Sequence, residues 1–328
     1  MNRGMVLITG CSGFIGRALA KKCLSEGWTV KGTIRSDLIS RNLPGGVEPV
    51  IVQDVGPHTN WSEALDAVTA IVHLAARVHA SSNSDCDSDS IEEYFRVNLV
   101  GTSNLARSAA SAGVRQMVFL STVKVHGEGR EEPYSEADPA APQGPYAVSK
   151  HAAENALKEA SKRSPLETVV LRPPLVYGPG VGANFLRLIK LVERRVPLPF
   201  SGVTNRRSLI FIENLVDAIL ACLREPKAAG KTYLVADVES PSTPELITQI
   251  AEFLGAPVKL FSFPPAIMRR SSVLFGKQKE ADRLLGSLVA NTSKIRREIG
   301  WSPKFVQREG LRATVEWYLQ NMRRQKKK

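Results

Sequence analysis

Tyrosine and lysine stand four residues apart in Tyr146-Ala147-Val148-Ser149-Lys150. On a helix that spacing puts both side chains on one face, with the ammonium beside the phenol. A neighbouring cation favours phenolate and draws a tyrosine pKa down from about 10 toward working pH, which would make Tyr146 a proton donor or acceptor. Helices carry this spacing by chance, so the pair gains meaning only from its context. Far upstream, apolar Met5-Val6-Leu7-Ile8 runs into Thr9-Gly10-Cys11-Ser12-Gly13-Phe14-Ile15-Gly16. A helical stretch follows, with Ala18, Leu19, Ala20 and Leu24 as its apolar positions. Glycines at such a turn let the backbone approach a pyrophosphate, and the helix N-terminus offers free N–H groups and a partial positive charge. The spacing is Gly-x-x-Gly-x-x-Gly, unlike the Gly-x-Gly-x-x-Gly of most dinucleotide folds. An ordinary strand–turn–helix with glycines for close packing is the alternative; a strand before, a helix after and three spaced glycines together favour phosphate.

The elements that must position these residues alternate along the chain. After Met5–Ile8, strand-like apolar runs recur at Thr29–Ile34, Val50–Val52, Ala70–Leu74, Gln116–Ser121 and Thr168–Leu171, with helical stretches between them. Such alternation predicts an α/β fold, a doubly wound parallel Rossmann sheet. From Pro173 onward the pattern loosens. Pro197-Leu198-Pro199, Pro264-Pro265 and long loops alternate with helices such as Glu245–Leu254, introduced by Thr243-Pro244 and ended by Gly255. The expected division is a dinucleotide-binding domain at 1–172 plus about 203–236, interleaved with a smaller α/β substrate lobe at 173–202 and 237–328. The polar, Ser/Asp-rich stretch from Ala80 to Glu93 lacks calcium-loop spacing and reads as a surface loop near the rim of the site.

Composition bounds the function classes. With 328 residues and 43% hydrophobic content, the chain can bury a real core in one or two domains. Cys11, Cys23, Cys86 and Cys222 show no paired metal spacing and suit a reducing cytosol, so no metal is expected. No secretory h-region or twenty-residue apolar run is present, which points to a cytoplasmic protein. The net charge of +12 is partly concentrated in Met322-Arg323-Arg324-Gln325-Lys326-Lys327-Lys328. Without an accompanying nucleic-acid motif, this tail reads as a solvated end first and as a weak peripheral membrane contact second.

Taken together, Thr9 to Gly16, Tyr146 and Lys150 resemble the extended short-chain dehydrogenase/reductase family of nucleotide-sugar epimerases, dehydratases and reductases. The likeness covers nearly the whole chain. His73-Leu74-Ala75-Ala76 resembles the family's fourth-strand end, Asn98-Leu99-Val100-Gly101-Thr102 its next helix, and Leu120-Ser121-Thr122 through His126-Gly127 its active-site strand. Arg172 through Val176-Tyr177-Gly178-Pro179 resembles the segment after the sixth strand. Ser293-Lys294, Ile299-Gly300-Trp301 and Glu309-Gly310-Leu311 resemble the closing pattern.

The resemblance implies roles for individual residues. Tyr146 would exchange a proton with the sugar oxygen, Lys150 would lower the Tyr146 pKa and bind the nicotinamide ribose, and Thr122 would hydrogen-bond the same oxygen with help from Ser121. Gly10, Ser12, Gly13, Phe14, Ile15, Gly16, Leu74, Ala75, Ala76, Asn98 and Pro174 would line the cofactor site. Asp54-Val55 resembles the pair that brackets the adenine, although Asp54 could equally cap the following turn. NAD-binding members place an acid at the end of the second strand; here Ile34 stands there with Arg35 after it. A guanidinium forks onto a phosphate, so NADP(H) is favoured over NAD(H). Dehydratases carry Asp-Glu after the threonine, whereas this chain has Val123 and Lys124, which argues against elimination of water. His126 stands where the family usually has Tyr, either facing the sugar or packing at the strand end. The substrate-side asparagine is replaced by Leu175. Asn184 resembles another one or caps a helix, Arg207 aligns with the arginine that grips the diphosphate, and Arg283 is a further phosphate candidate. The combination resembles bacterial reductases of UDP-4-keto-6-deoxy-N-acetylhexosamines in surface polysaccharide synthesis. A UDP-hexose 4-epimerase with bound NAD is the alternative, followed by a non-catalytic dinucleotide sensor. A homodimer built on two helices per subunit is also implied.

Overall fold

The computed structural model describes residues 3–36, 38, 40, 43–78, 88–274 and 278–326, with backbone alone at 88–90, 271–274, 278–280, 283 and 323–326. Cys86, most of the Ala80–Glu93 stretch, the Arg283 side chain and the end of the basic tail lie outside the described residues.

The first half of the chain alternates strand and helix: β1 (Met5–Thr9), α1 (Phe14–Ser25), β2 (Thr29–Ile34), β3 (Val47–Ile51), α2 (Ser62–Leu65), β4 (Ala70–His73) and α3 (Ser88–Phe95). A π-helical turn (Arg96–Gly101) then leads into α4 (Thr102–Ser111), β5 (Gln116–Leu120), a 3-10 turn (Val123–His126), α5 (Gly144–Lys162) and β6 (Glu167–Arg172). Beyond it come β7 (Leu175–Tyr177), α6 (Ala183–Glu193), β8 (Leu209–Phe211), α7 (Ile212–Arg224) and β9 (Thr232–Leu234). The remainder is helical: α8 (Thr243–Leu254), α9 (Pro265–Leu274), α10 (Gln278–Leu285), α11 (Ser293–Ile299) and α12 (Gln307–Lys326).

Seven parallel strands form one sheet in the order β3-β2-β1-β4-β5-β6-β9, while β7 and β8 pair in a separate two-stranded parallel sheet. Side chains alternate across β1 and so serve two cores. Val6 and Ile8 pack with Leu19 and Cys23 of α1 and Ile219 and Cys222 of α7. Leu7 faces Leu105 and Ala109 of α4 and Ala153 and Leu157 of α5 on the other side. Each fully buried side chain of this kind contributes about 1.5–3 kcal/mol, so a strand without a polar face is stable only when helices cover both sides. Ile295 and Trp301, from the C-terminal stretch, also join the α1/α7 core. A third core unites Tyr177, Phe185, Ile189, Leu198 and Phe200 with Ile247, Ile250, Leu311 and Val315.

Two boundaries depart from the sequence reading. The third strand is Val47–Ile51, not Val50–Val52, because Pro49 lies within it opposite Gly32. The strand sits at the sheet edge, where a proline removes no needed ladder donor. The helix expected at Glu245–Leu254 begins at Thr243, with Ser242 as N-cap and Glu245 closing a capping box. Gly255 ends it in the left-handed conformation, as its position suggests.

The strand order reverses at β1, whose neighbours are β2 on one side and β4 on the other. Ligands of open parallel sheets bind in the crevice at the carboxyl ends of strands at such a switch point. Gly10 leaves β1 there and Leu74-Ala75 leave β4.

Candidate active site

The glycine turn fits a pyrophosphate on this structure's own geometry. Gly10 adopts φ +69°, and a side chain on it would stand 3.0 Å from the Ala75 nitrogen. A Cβ on Gly16 would run into Gly10 O and stand 2.7 Å from the Cys11 Cα, so α1 packs directly on the turn. Gly13 is exposed, donates its N–H to Gly10 O at 3.0 Å and serves as the N-cap of α1 without a side-chain cap. The first-turn N–H groups of Phe14, Ile15 and Gly16 therefore have no helical acceptor, and the first turn itself holds no acidic residue. Ser12 is half-buried in the same turn. Cys11 is fully buried and packs toward Gly32, and burial pushes its thiol up to about 12.

A chain of polar contacts ties this turn to the far side of the site. Thr9 Oγ1 accepts from the Leu74 and Ala75 N–H groups, both at 3.1 Å, and donates to His73 Nδ1 at 2.6 Å. His73 Nε2–H donates to Thr102 Oγ1 at 3.0 Å, and Thr102 donates to Asn98 O at 2.6 Å. Burial, with Lys150 adding, drives His73 down to about 3 and keeps it neutral. Asn98 sits in the π-helical turn and is buried. Its amide bonds the Arg77 backbone at 2.8 and 3.0 Å and reaches Ser149 Oγ at 2.9 Å on the helix of Tyr146. Its side chain thus braces the loop after β4 against α5.

The expected catalytic residues lie on adjoining elements. Thr122 follows β5, is 7% exposed, and its Oγ1 caps the 3-10 turn by accepting from Lys124 N at 3.3 Å. Tyr146 lies in the first turns of α5 and is half-buried; Lys150, one turn later, is buried. The ammonium of Lys150 lies over the Phe119 ring, 3.9 Å from its centroid. Burial drives Lys150 down to about 7, opposed by the Glu154 carboxylate. Burial pushes the Tyr146 phenol up to about 12, with Tyr94 adding to the rise. The phenol thus stands above its ordinary value, opposite to the lowering expected from Lys150, because desolvation by burial is the largest effect on it.

Ser121 belongs to a buried network. Its hydroxyl donates to Glu154 Oε1. Glu154 also receives Arg172 Nε at 3.0 Å and Arg172 Nη2, while Arg172 Nη1 donates to His126 Nε2 at 2.8 Å. Burial alone would raise Glu154, but hydrogen bonds from His151, Arg172 and Ser121 hold it below the usual carboxylate range. His126 is buried and stacks on Tyr134 at 5.6 Å between centroids; burial and then Arg172 push it down to about 4. It packs at the end of the active-site strand. Sequence reasoning missed this network because its bonded partners lie up to 46 positions apart.

The remaining candidates are distributed as follows. Ile34 is buried and Arg35 is exposed, close enough to Asp54 to help hold its carboxyl low. The larger effect on Asp54 is a hydrogen-bonded pair with Arg96, whose Nη2 donates at 3.0 Å and which also grips Glu93. Asp54 O accepts from Thr59 Oγ1 at 2.9 Å, and the carboxylate borders a cavity of about 480 Å³ lined by Val52, Gln53, His58, Asn60 and Arg96. Arg96 was not singled out in the sequence, although Glu93 three residues earlier is a helical pairing signal. Val55 packs against the Gly101 backbone, and Ala76 is half-buried beside Ala75. Pro174 is buried in the link from β6 to β7, and Leu175 is 47% exposed. Asn184 lies inside the first turn of α6, whose N-cap is Gly182, so it does not cap that helix. Arg207 is half-buried and donates to Gly286 O at 3.0 Å. Among the described residues, no cluster of three metal-ligating side chains occurs, and no helix is long and apolar enough to cross a membrane.

Similarity to known proteins agrees with this arrangement. The chain is 38% identical to a UDP-glucose 4-epimerase of Vibrio cholerae over 319 residues, covering 96% of this chain and 95% of that protein. It is 26% identical to a ceramide reductase of Caulobacter vibrioides, covering 96% and 95% respectively. The solved structure of MoeE5 in complex with UDP-glucose and NAD superposes with a TM-score of 0.78 at 25% identity, over 97% of this chain and all of that one. The profile of the NAD dependent epimerase/dehydratase family matches residues 6–236. With a glycine turn at the switch point and this match over most of its length, the chain belongs to that family.

Proposed function

We propose that the protein is a nucleotide-sugar oxidoreductase that reduces the 4-keto group of a UDP-4-keto-6-deoxy-N-acetylhexosamine. The reading is supported by the neighbouring elements that carry the three candidates: Thr122 caps the turn after β5, and α5 carries Tyr146 and Lys150, with the Lys150 ammonium over Phe119 of β5. A bound nicotinamide dinucleotide would supply the hydride to the sugar carbon. Gly10 to Gly16 would hold its pyrophosphate, and Leu74 to Ala76, Val55 and Pro174 would line its path. Residues 1–172 with about 203–236 would carry that cofactor; 173–202 and 237–328 would carry the sugar nucleotide.

Tyr146 would deliver the proton to the carbonyl oxygen, and its high pKa suits an acid that stays protonated until the oxygen becomes basic. Thr122 would hold the same oxygen by hydrogen bond. Lys150 would bear a cation below the tyrosine and orient the ribose. With Val123 and Lys124 where elimination needs an acid and a base, the chemistry stays at the carbon–oxygen bond. Asn184 and Arg207 would reach the diphosphate. Arg35, without an acid at the β2 end, favours NADP(H) by offering a fork to a 2′-phosphate. A cytoplasmic homodimer with a solvated or weakly membrane-attracted basic tail completes the reading.

A 4-epimerase with retained NAD is the second reading, and the 38% identity to an epimerase favours it. Incubation with the keto-sugar and NADPH or NADH separates the two. The reductase reading expects stoichiometric oxidation of added NADPH and a single 4-hydroxy product. Turnover of UDP-hexoses without added cofactor, and no oxidation with the keto-sugar, would replace it by the epimerase.

A further inference from the structure

Lys124, Glu128 and Arg207 bring three charges together where the catalytic turn meets the C-terminal lobe. Lys124 sits in the 3-10 turn two residues after Thr122, and its ammonium pairs with Glu128. Arg207 approaches from the other side, with Nη2 3.9 Å from Glu128 Oε2 and Nη1 donating to Gly286 O at 3.0 Å. The stretch 286–288 is laced between the two: Gly129 N donates to Ser287 O at 3.1 Å, Leu288 N to Arg206 O at 2.8 Å, and Ser208 N to Leu288 O at 2.8 Å. The three side chains are 31%, 25% and 22% exposed, so they are partly withdrawn from water.

We propose that Glu128 is an exchangeable counterion, held against Arg207 until the diphosphate of the substrate replaces it and then kept by Lys124. This rests on the nucleotide-sugar reading above. At 3.9 Å the Glu128–Arg207 contact is an ion pair without a hydrogen bond, whereas two adjacent phosphates offer a guanidinium a forked, doubly charged acceptor. The closer Lys124 partner keeps the released carboxylate neutralised, so the exchange leaves no half-buried charge alone. Gly127 and Gly129 flank Glu128 at φ +96° and +92°, conformations that glycine adopts without strain. Lys124 thus acts as a positioning residue, although it occupies a place where dehydratases carry an acid.

Titration calorimetry of UDP into the NADP- or NAD-loaded enzyme tests this. Glu128→Gln is expected to tighten UDP about threefold and Lys124→Met to weaken it about threefold, the scale of a partly exposed pair. The Lys124→Met loss should vanish in the Glu128→Gln background, since Lys124 acts through Glu128. Unchanged or weaker UDP binding in Glu128→Gln, or a Lys124→Met loss that persists without Glu128, overturns the proposal. Arg207→Gln separates this from the underlying reading. If it leaves UDP affinity unchanged, the diphosphate role of Arg207 fails; if it weakens UDP while Glu128→Gln does nothing, only the exchange fails.

Discussion

Tyr146 and Lys150 are displaced from their ordinary ionisation in opposite directions, the phenol up to about 12 and the amine down to about 7. Tyr146→Phe removes the proton donor and leaves the ring, so turnover should fall about a hundred- to ten-thousand-fold while dinucleotide affinity stays within a factor of a few. Unchanged turnover would contradict the role. Lys150 carries a stability consequence with a definite sign. Its folded pKa lies below the unfolded value, so the unfolded chain binds more protons between about pH 7 and 10.5, and stability rises with pH across that window. The burial penalty is full at and below pH 7, on the order of 5 kcal/mol by the shift, and is gone above pH 10.5. Lys150→Met should therefore flatten that rise in denaturant midpoint; an identical slope in both proteins would refute it. Tyr146 and Lys150 stand out in the sequence by type and local spacing, and Thr122 as a candidate through the family resemblance. The Ser121–Glu154–Arg172–His126 network was not legible, because only the packing of β5, α5 and β6 brings its members together.

At the level of elements, the strand–glycine turn–helix unit was the easiest to read and the least tolerant. Gly16→Ala places a methyl against the Gly10 and Cys11 backbone. The expected cost is about 1–3 kcal/mol, with loss of most dinucleotide affinity, since the turn cannot move without its phosphate-facing N–H groups. Thermal midpoint and fluorescence titration read both; wild-type values in both would show that the turn has room. Ser242→Ala removes one half of the α8 capping box and should cost about 1 kcal/mol with no effect on cofactor binding. The helix, its Thr243-Pro244 introduction and its terminal Gly255 were visible in the sequence, whereas the Ser242 box was not. Two further features were not visible. Pro49 hid the start of β3, because a propensity reading has no knowledge of which strand lies at the edge. The π-helical turn at Arg96–Gly101 has no local signature in the sequence; it exists where Asn98 reaches both the Arg77 backbone and Ser149.

For the whole molecule, the strand order reverses between β1 and β4, where the proposed dinucleotide would lie, and the separate β7–β8 pair leads into the proposed substrate lobe. The doubly wound sheet was readable from alternation alone. The helical C-terminal region was not, because its packing on Tyr177, Phe185 and Leu198 depends on contacts across more than a hundred residues. The positive Arg35 beside an acid-free β2 end should set the cofactor: Arg35→Asp is expected to move preference from NADPH toward NADH by about tenfold or more. The most direct measurement is the loss of nicotinamide absorbance on adding UDP-4-keto-6-deoxy-N-acetylglucosamine, with NADPH and NADH in parallel and Tyr146→Phe beside the wild type. Rapid stoichiometric oxidation of NADPH by the wild type, and almost none by Tyr146→Phe, is the result predicted. No oxidation by the wild type with either cofactor would contradict the keto-sugar reductase.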